Sequence, residues 1–227
     1  MSVNVASYKE IVGYLNKKNV TLVAVSKTKP VEAILELYQM GQRDFGENYV
    51  QELLEKYQQL PKDIRWHFIG HLQSNKVKLI APFIHLIHSV DSAKLLKEIN
   101  KQGNLNKRVI DCLLQVYIAK EETKFGLDVE ELNDIITKAS GEGSFNHVCI
   151  KGLMGMASFT DNSEVVRNEF KFLKSLFDKS LPLLSSDCEF SVLSMGMSAD
   201  YEMAIEEGSN MVRIGSLLFG ERNYPKP

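Results

Sequence analysis

The run Leu22-Val23-Ala24-Val25-Ser26-Lys27 is made for burial and closes on a lysine. An amine at the edge of an apolar mouth is poorly hydrated, so its neutral form becomes accessible and can attack an aldehyde to give a Schiff base. Lysines that flank strands ordinarily point to solvent, and Lys29, of the same parity, sits beside Pro30 where a helix starts. Lys27 is therefore the better candidate. Near the other end, Arg213 interrupts the apolar strand Met211-Val212-Arg213-Ile214. Gly215-Ser216 then opens a short helix, offering backbone N–H groups and a hydroxyl to an anion. Taken singly, a structural salt bridge accounts for Arg213 and an ordinary turn for the Gly-Ser step. Their placement together, with the small-residue loop Ser194-Met195-Gly196-Met197-Ser198 just upstream, outlines a phosphate cup.

These residues need a frame that brings strand ends together. Short β-branched or aromatic runs alternate with longer stretches of helical period, the signature of parallel βαβ units. The strand candidates are Thr21–Ser26, Arg43–Phe45, Arg65–Ile69, Phe83–His88, Val109–Tyr117, His147–Leu153, Glu189–Leu193 and Asn210–Ile214, after an extra N-terminal helix around Tyr8–Lys17. Pro30, then Ile34, Leu37 and Tyr38, then Gly41 make one complete helix with its stop. Asp128 and Glu131 form a capping-box pattern before Leu132, Ile135, Ile136 and Ala139, and Val166, Phe170, Leu173 and Phe177 stripe another helix. Eight such units predict an α/β fold, a single closed (β/α)8 barrel of the TIM type, with catalytic groups at C-terminal strand ends and phosphate held after strands seven and eight. A doubly wound sheet would want a glycine-rich turn where Ser26-Lys27-Thr28-Lys29-Pro30 stands. No linker or low-complexity tract divides the chain, so residues 1–227 read as one domain.

Composition narrows the function classes. The 227 residues are 44% hydrophobic and 25% charged, with 27 Lys+Arg against 29 Asp+Glu, which excludes disordered and collagen-like chains and proposes neither nucleic acid nor a membrane as partner. No window approaches the roughly 18 apolar residues of a membrane span, and the N-terminus lacks a signal-peptide pattern. Cys112, Cys149 and Cys188 are odd in number and far apart, which argues against a disulfide framework and a zinc site; a reducing, cytoplasmic setting is expected. His67 and His71 are four apart, but Gly70 and the strand character of Trp66–Ile69 deny them the helical geometry of a metal pair. His85 and His88 read as satisfied core or rim histidines, and no metal is expected.

Five segments together resemble a known family: Ser26-Lys27-Thr28-Lys29-Pro30, Phe45-Gly46-Glu47-Asn48-Tyr49, His67 through Lys76, Leu193–Ser198 and Arg213–Gly220. In this order they are similar to the signatures of the pyridoxal 5′-phosphate (PLP) homeostasis proteins, also called the YggS or PROSC family. That family's barrel is similar to the N-terminal domain of alanine racemase. The resemblance implies a lysine aldimine between Lys27 and the cofactor aldehyde, Arg213 facing the pyridine nitrogen, and phosphate on Ser198, Gly215 and Ser216. It places Asn48 and His71 at the mouth of the site and Met197 nearby. Position 216 is often threonine in the family, and serine keeps the hydroxyl. Lys124 falls in a K-x-G segment where a second basic group near the pocket is implied.

An arginine facing the pyridine nitrogen leaves the ring neutral and makes a weak electron sink, poor for reactions through a full carbanion. In the racemases that the barrel resembles, a second base comes from an added C-terminal domain, for which a chain ending at Pro227 leaves no room. The expected role is thus PLP homeostasis as a carrier, buffer or exchanger of this vitamin B6 cofactor, without efficient turnover. The expected partners are PLP, amino acids and, transiently, PLP-dependent apo-enzymes, and a monomer is expected. The alternative is a minimal PLP-dependent amino-acid racemase with Lys27 as one base; a barrel holding another sugar phosphate is a third reading.

Overall fold

The computed structural model describes residues 3–119, 125–139, 145–183 and 188–220. Its eight strands are β1 Thr21–Val25, β2 Asp44–Glu47, β3 Arg65–Phe68, β4 Leu86–Val90, β5 Ile110–Gln115, β6 Val148–Met154, β7 Val192–Ser194 and β8 Met211–Ile214. The helices are α1 Val5–Lys17, α2 Val31–Gln39, α3 Val50–Gln59, α4 Val77–Ile80, α5 Ala93–Leu105, α6 Val129–Ala139, α7 Ser163–Ser180, α8 Tyr201–Glu206 and α9 Ser216–Phe219. Each strand lies parallel to the next, and β8 returns to β1 in a register running from Thr21↔Met211 to Ala24↔Ile214. The sheet is therefore the closed barrel that the alternation predicts. Parallel neighbours need crossover connections, which the helices supply on the outside.

Alternation along each strand divides the core in two. Ala24, Phe45, Trp66, Phe68, Val212 and Ile214 face the helices and join a large outer core. Val23, Leu86, Leu113, Met154 and Met211 form a separate, smaller cluster. Register sets Val23 beside Arg213 and Met154 beside Ser194, so Arg213 and Ser194 lie on the barrel's inner side. The predicted stripe on α7 is buried at Val166, Phe170, Leu173 and Phe177, each side chain contributing about 1.5–3 kcal/mol. The α6 capping box forms reciprocally: Glu131 N donates to Asp128 Oδ1 at 2.8 Å and Asp128 N to Glu131 Oε2 at 3.1 Å. Pro30 is the cap of α2 and not its first helical residue.

All eight strands differ by at least one residue from the sequence reading. The second runs on to Glu47 because its inner positions are Asp44 and Gly46, which no hydrophobic pattern marks. The fourth starts at Leu86, since Phe83 N and Ile84 N both bond back to Ile80 O at 3.1 and 2.9 Å and hold the chain in a turn. The seventh is displaced to Val192–Ser194. The cysteine reading is corrected as well: Cys149 and Cys188 form a disulfide, 39 residues apart with Cα atoms at 5.5 Å, while Cys112 is a buried thiol. Cys149 lies on β6 and Cys188 precedes its neighbour β7, a proximity that sequence spacing does not disclose. Among the described residues, no helix is long and apolar enough to cross a membrane.

Candidate functional site

Lys27 stands two residues beyond the end of β1, half-buried, on a turn closed by Lys29 N donating to Ser26 O at 3.0 Å. Thr28 adopts φ 62°, an uncommon conformation that needs outside support. That support is a buried network behind the turn. Lys56 Nζ donates to Ser26 O, Glu47 Oε1 and Glu52 Oε1, each at 2.7 Å. Ser26 Oγ donates to Glu47 Oε1 at 2.5 Å, and Thr28 N to Glu52 Oε1 at 2.6 Å. The residues on both sides of Lys27 are thus held by one ion-pair cluster. Burial pushes the Glu47 carboxyl up to about 7 against the pull of Lys56. Lys29 Nζ donates to Phe219 O and Gly220 O at 3.0 and 3.1 Å, tying the turn to the end of α9.

Arg213 is 4% exposed, and among the described residues no carboxylate lies within ion-pair distance of it. Its guanidinium donates to Ser194 Oγ at 2.7 Å, Ser194 O at 2.9 Å and Gly155 O at 2.9 Å. Burial pushes its pKa down to about 10. A buried cation without a contacting counter-charge is costly; the Asp200 carboxylate acts on Arg213 from beyond ion-pair distance, and the structural salt bridge that would have explained Arg213 is absent among the described residues. One residue beyond β8, Gly215 N donates to Ser198 Oγ at 3.3 Å. A Cβ on Gly215 would stand 3.3 Å from Val25 O, so the ends of β8 and β1 meet closely. Ser216 is exposed at the start of α9 and Ser198 is half-buried after β7. The predicted Lys27, Arg213, Gly215, Ser216 and Ser198 therefore gather at one mouth.

Asn48 follows β2, and its Oδ1 is buried with no hydrogen-bond partner. Its backbone lies under Gly70, where a Cβ would fall 2.4 Å from Asn48 O, so glycine is required for this approach. His71 is an exposed rim residue: Nδ1 stands 3.0 Å from Asp91 Oδ2 and the ring stacks on Phe125 with centroids 4.3 Å apart. Met197 is 37% exposed on the loop after β7. Lys124 lies outside the described residues.

Sequence reasoning missed two polar groups. Glu47 and Lys56 belong to different elements, and only the α3–strand contact pairs them. At the opposite mouth, Asp44, His67 and His85 bring one ligand atom each within 4.8 Å of one another, where the sequence analysis weighed only His67 with His71. Arg65 donates to both Asp44 oxygens, and His67 faces Asp44 with one ring nitrogen and His88 with the other. These contacts account for the cluster without an ion. His85 is exposed at this mouth, where partial desolvation lowers its pKa, and the Arg65 and His67 hydrogen bonds hold Asp44 well below the usual carboxylate range despite its burial.

A model of the alanine racemase N-terminal domain matches residues 4–223. Over 212 residues the chain is 43% identical to a pyridoxal phosphate homeostasis protein of Haemophilus influenzae, covering 92% of this chain and 88% of that one. The chain belongs to the pyridoxal phosphate homeostasis protein family. The human member is 42% identical over 215 residues, covering 90% of this chain and 78% of that one. Among solved structures, PipY of Synechococcus elongatus with PLP bound superposes with a TM-score of 0.81 at 34% identity, over 93% of this chain and 99% of that one. Alanine racemase from Bartonella henselae, with covalently bound pyridoxal phosphate, gives 0.70 at 18% identity, over 99% of this chain and 62% of that one. That second likeness is one of fold, and it sets the homeostasis family's barrel beside the racemase barrel.

Proposed function

We propose that the chain, as one domain in the cytoplasm, holds PLP as a Schiff base on Lys27 and serves PLP homeostasis as a carrier or buffer without efficient turnover. The observation that carries this reading is Arg213, a buried guanidinium with no carboxylate at ion-pair distance among the described residues, on the inner side of the barrel beside β1, two residues beyond which Lys27 stands. The relatives' names and the PLP-bound PipY structure support the same ligand. The residues present fit the cofactor: Asn48 Oδ1 is a buried acceptor awaiting a donor, and Arg213 is a donor awaiting an acceptor. In this reading Arg213 meets the pyridine nitrogen, Ser198, Gly215 and Ser216 hold the phosphate, Asn48 and Met197 flank the ring, and His71 guards the rim.

The linkage is reversible by its chemistry. PLP would supply an aldehyde with which the Lys27 amine would condense, one water being released, and hydrolysis would return both partners. The Glu47–Lys56–Glu52 cluster keeps the turn that carries Lys27 in place throughout. Arginine opposite the ring nitrogen supplies a hydrogen bond and no readily given proton, so carbanion chemistry is disfavoured.

Borohydride reduction of the PLP-loaded protein followed by peptide mass spectrometry tests the linkage. The pyridoxyl mass is expected on Lys27 and absent in Lys27→Ala; a label on Lys29 or Lys124 would refute the assignment. Incubation with L-alanine in deuterated water tests turnover. Rapid appearance of D-alanine, at roughly 1 to 10³ per second, would replace the carrier by the racemase.

A further inference from the structure

A column of hydrogen bonds crosses the barrel from Arg213 to the opposite mouth. Arg213 Nη1 donates to Ser194 Oγ at 2.7 Å; Ser194 Oγ lies 3.2 Å from His88 Nδ1, His88 Nε2 lies 2.9 Å from His67 Nδ1, and His67 Nε2 lies 3.0 Å from Asp44 Oδ1. His67, His88 and Ser194 are at most 1% exposed, so each of their protons must find a partner inside the column. The Asp44 carboxylate only accepts, which makes His67 Nε2 a donor. Burial above all holds His88 neutral with one N–H.

One arrangement uses every proton. Ser194 O–H donates to His88 Nδ1, His88 Nε2–H to His67 Nδ1, and His67 Nε2–H to Asp44. Reversing the His67–His88 bond would send His88 Nδ1–H towards Ser194 and leave the buried serine proton with nothing to bond. All the donors therefore run away from Arg213. At the near end, three of the five guanidinium N–H groups are committed, to Ser194 Oγ, Ser194 O and Gly155 O. Two remain.

We infer that His88 and Ser194 are positioning residues for Arg213: by taking the serine proton, His88 keeps Ser194 Oγ an acceptor, and the guanidinium is locked with its two remaining donors available to the cofactor ring. The inference rests on the proposed contact between Arg213 and the pyridine nitrogen. It assigns to buried histidines 67 and 88 a purpose that barrel packing alone does not need, since apolar side chains fill the neighbouring inner positions.

Two substitutions of His88 separate positioning from packing. His88→Asn keeps an acceptor where Nδ1 stood, facing Ser194, whereas His88→Gln keeps only a donor where Nε2 stood, facing His67. In the PLP complex, His88→Gln should shift the visible absorbance band and raise the dissociation constant about 10-fold, the loss of one charge-assisted hydrogen bond. His88→Asn should stay within about 2-fold, a margin worth less than one hydrogen bond. Ser194→Ala should match His88→Gln, and it decides the matter should His88→Gln fail to fold. Borohydride labelling of Lys27 is read in every variant. If the His88 variants and Ser194→Ala lose apo melting temperature alike while Lys27 labelling, affinity and spectrum stay wild-type, the positioning role is overturned and the cofactor assignment stands. If wild-type Lys27 takes no label, both fall.

Discussion

Replacing Arg213 by methionine, which keeps much of the length and drops the charge, asks what the buried guanidinium is for. Its pKa is pushed from an ordinary 12.5 down to about 10 by burial. At 1.36 kcal/mol per unit, holding the charge at neutral pH costs the folded state about 3 kcal/mol. Because the folded-state pKa is the lower one, that cost is present at pH 7 and is relieved only as pH rises through about 10. Methionine removes it, and also removes the bonds to Ser194 O, Ser194 Oγ and Gly155 O, worth about 1.5–3 kcal/mol each for a charged donor. The lost bonds outweigh the relieved cost by roughly 1.5–6 kcal/mol. The apo melting temperature should therefore fall, by about 2–4 °C per kcal/mol for a chain of this size, as read by differential scanning fluorimetry. PLP affinity, from absorbance titration, should fall as well, about 10- to 100-fold, the range for a lost hydrogen bond to a charged group. A guanidinium with a structural role alone predicts the loss of stability without the loss of affinity. A lower apo melting temperature with unchanged PLP affinity would refute the argument.

Two further outcomes follow from the frame around the site. The Glu47 carboxyl, raised to about 7 by burial, binds its proton more tightly in the folded than in the unfolded chain, so wild-type stability falls as pH climbs from about 4.5 to 7. Glu47→Gln should gain on wild type over that window by up to about 3 kcal/mol; melting curves at pH 5 and pH 8 showing an unchanged difference would contradict this. Gly152, at φ 155°, would place an alanine Cβ 1.7 Å from Val192 O, prying β6 from β7. Gly152→Ala should cost about 3 kcal/mol or more in urea denaturation, and a loss below about 1 kcal/mol would show that the strands can part freely.

The barrel was legible in the chain because its signal is a local pattern, and the proposed chemical ends were picked out by local patterns too. Eight alternations of strand-like and helical periods announce a parallel sheet, and Lys27 and Arg213 stand out as charges closing or interrupting apolar runs. The resemblance of five segments added the roles proposed for Asn48, Ser198, Gly215 and Ser216. Strand limits were read less well wherever inner positions are polar or small, as at Asp44 and Gly46, since hydrophobic alternation is blind to a barrel lined with carboxylate and imidazole.

By itself, then, the sequence determined the order of elements, the handed closure that short parallel crossovers impose, and which residues stand at strand ends. Tertiary structure alone decided the pairings between distant polar groups. His67 meets His88 across 21 positions and Ser194 meets His88 across 106; Glu47 finds Lys56 on α3, and Cys149 finds Cys188 across the β6–β7 boundary. Each of these groups is ambiguous in the chain, because a buried histidine, carboxylate or thiol is tolerable only with a partner, and the identity of that partner is set by which strands the closed sheet makes adjacent.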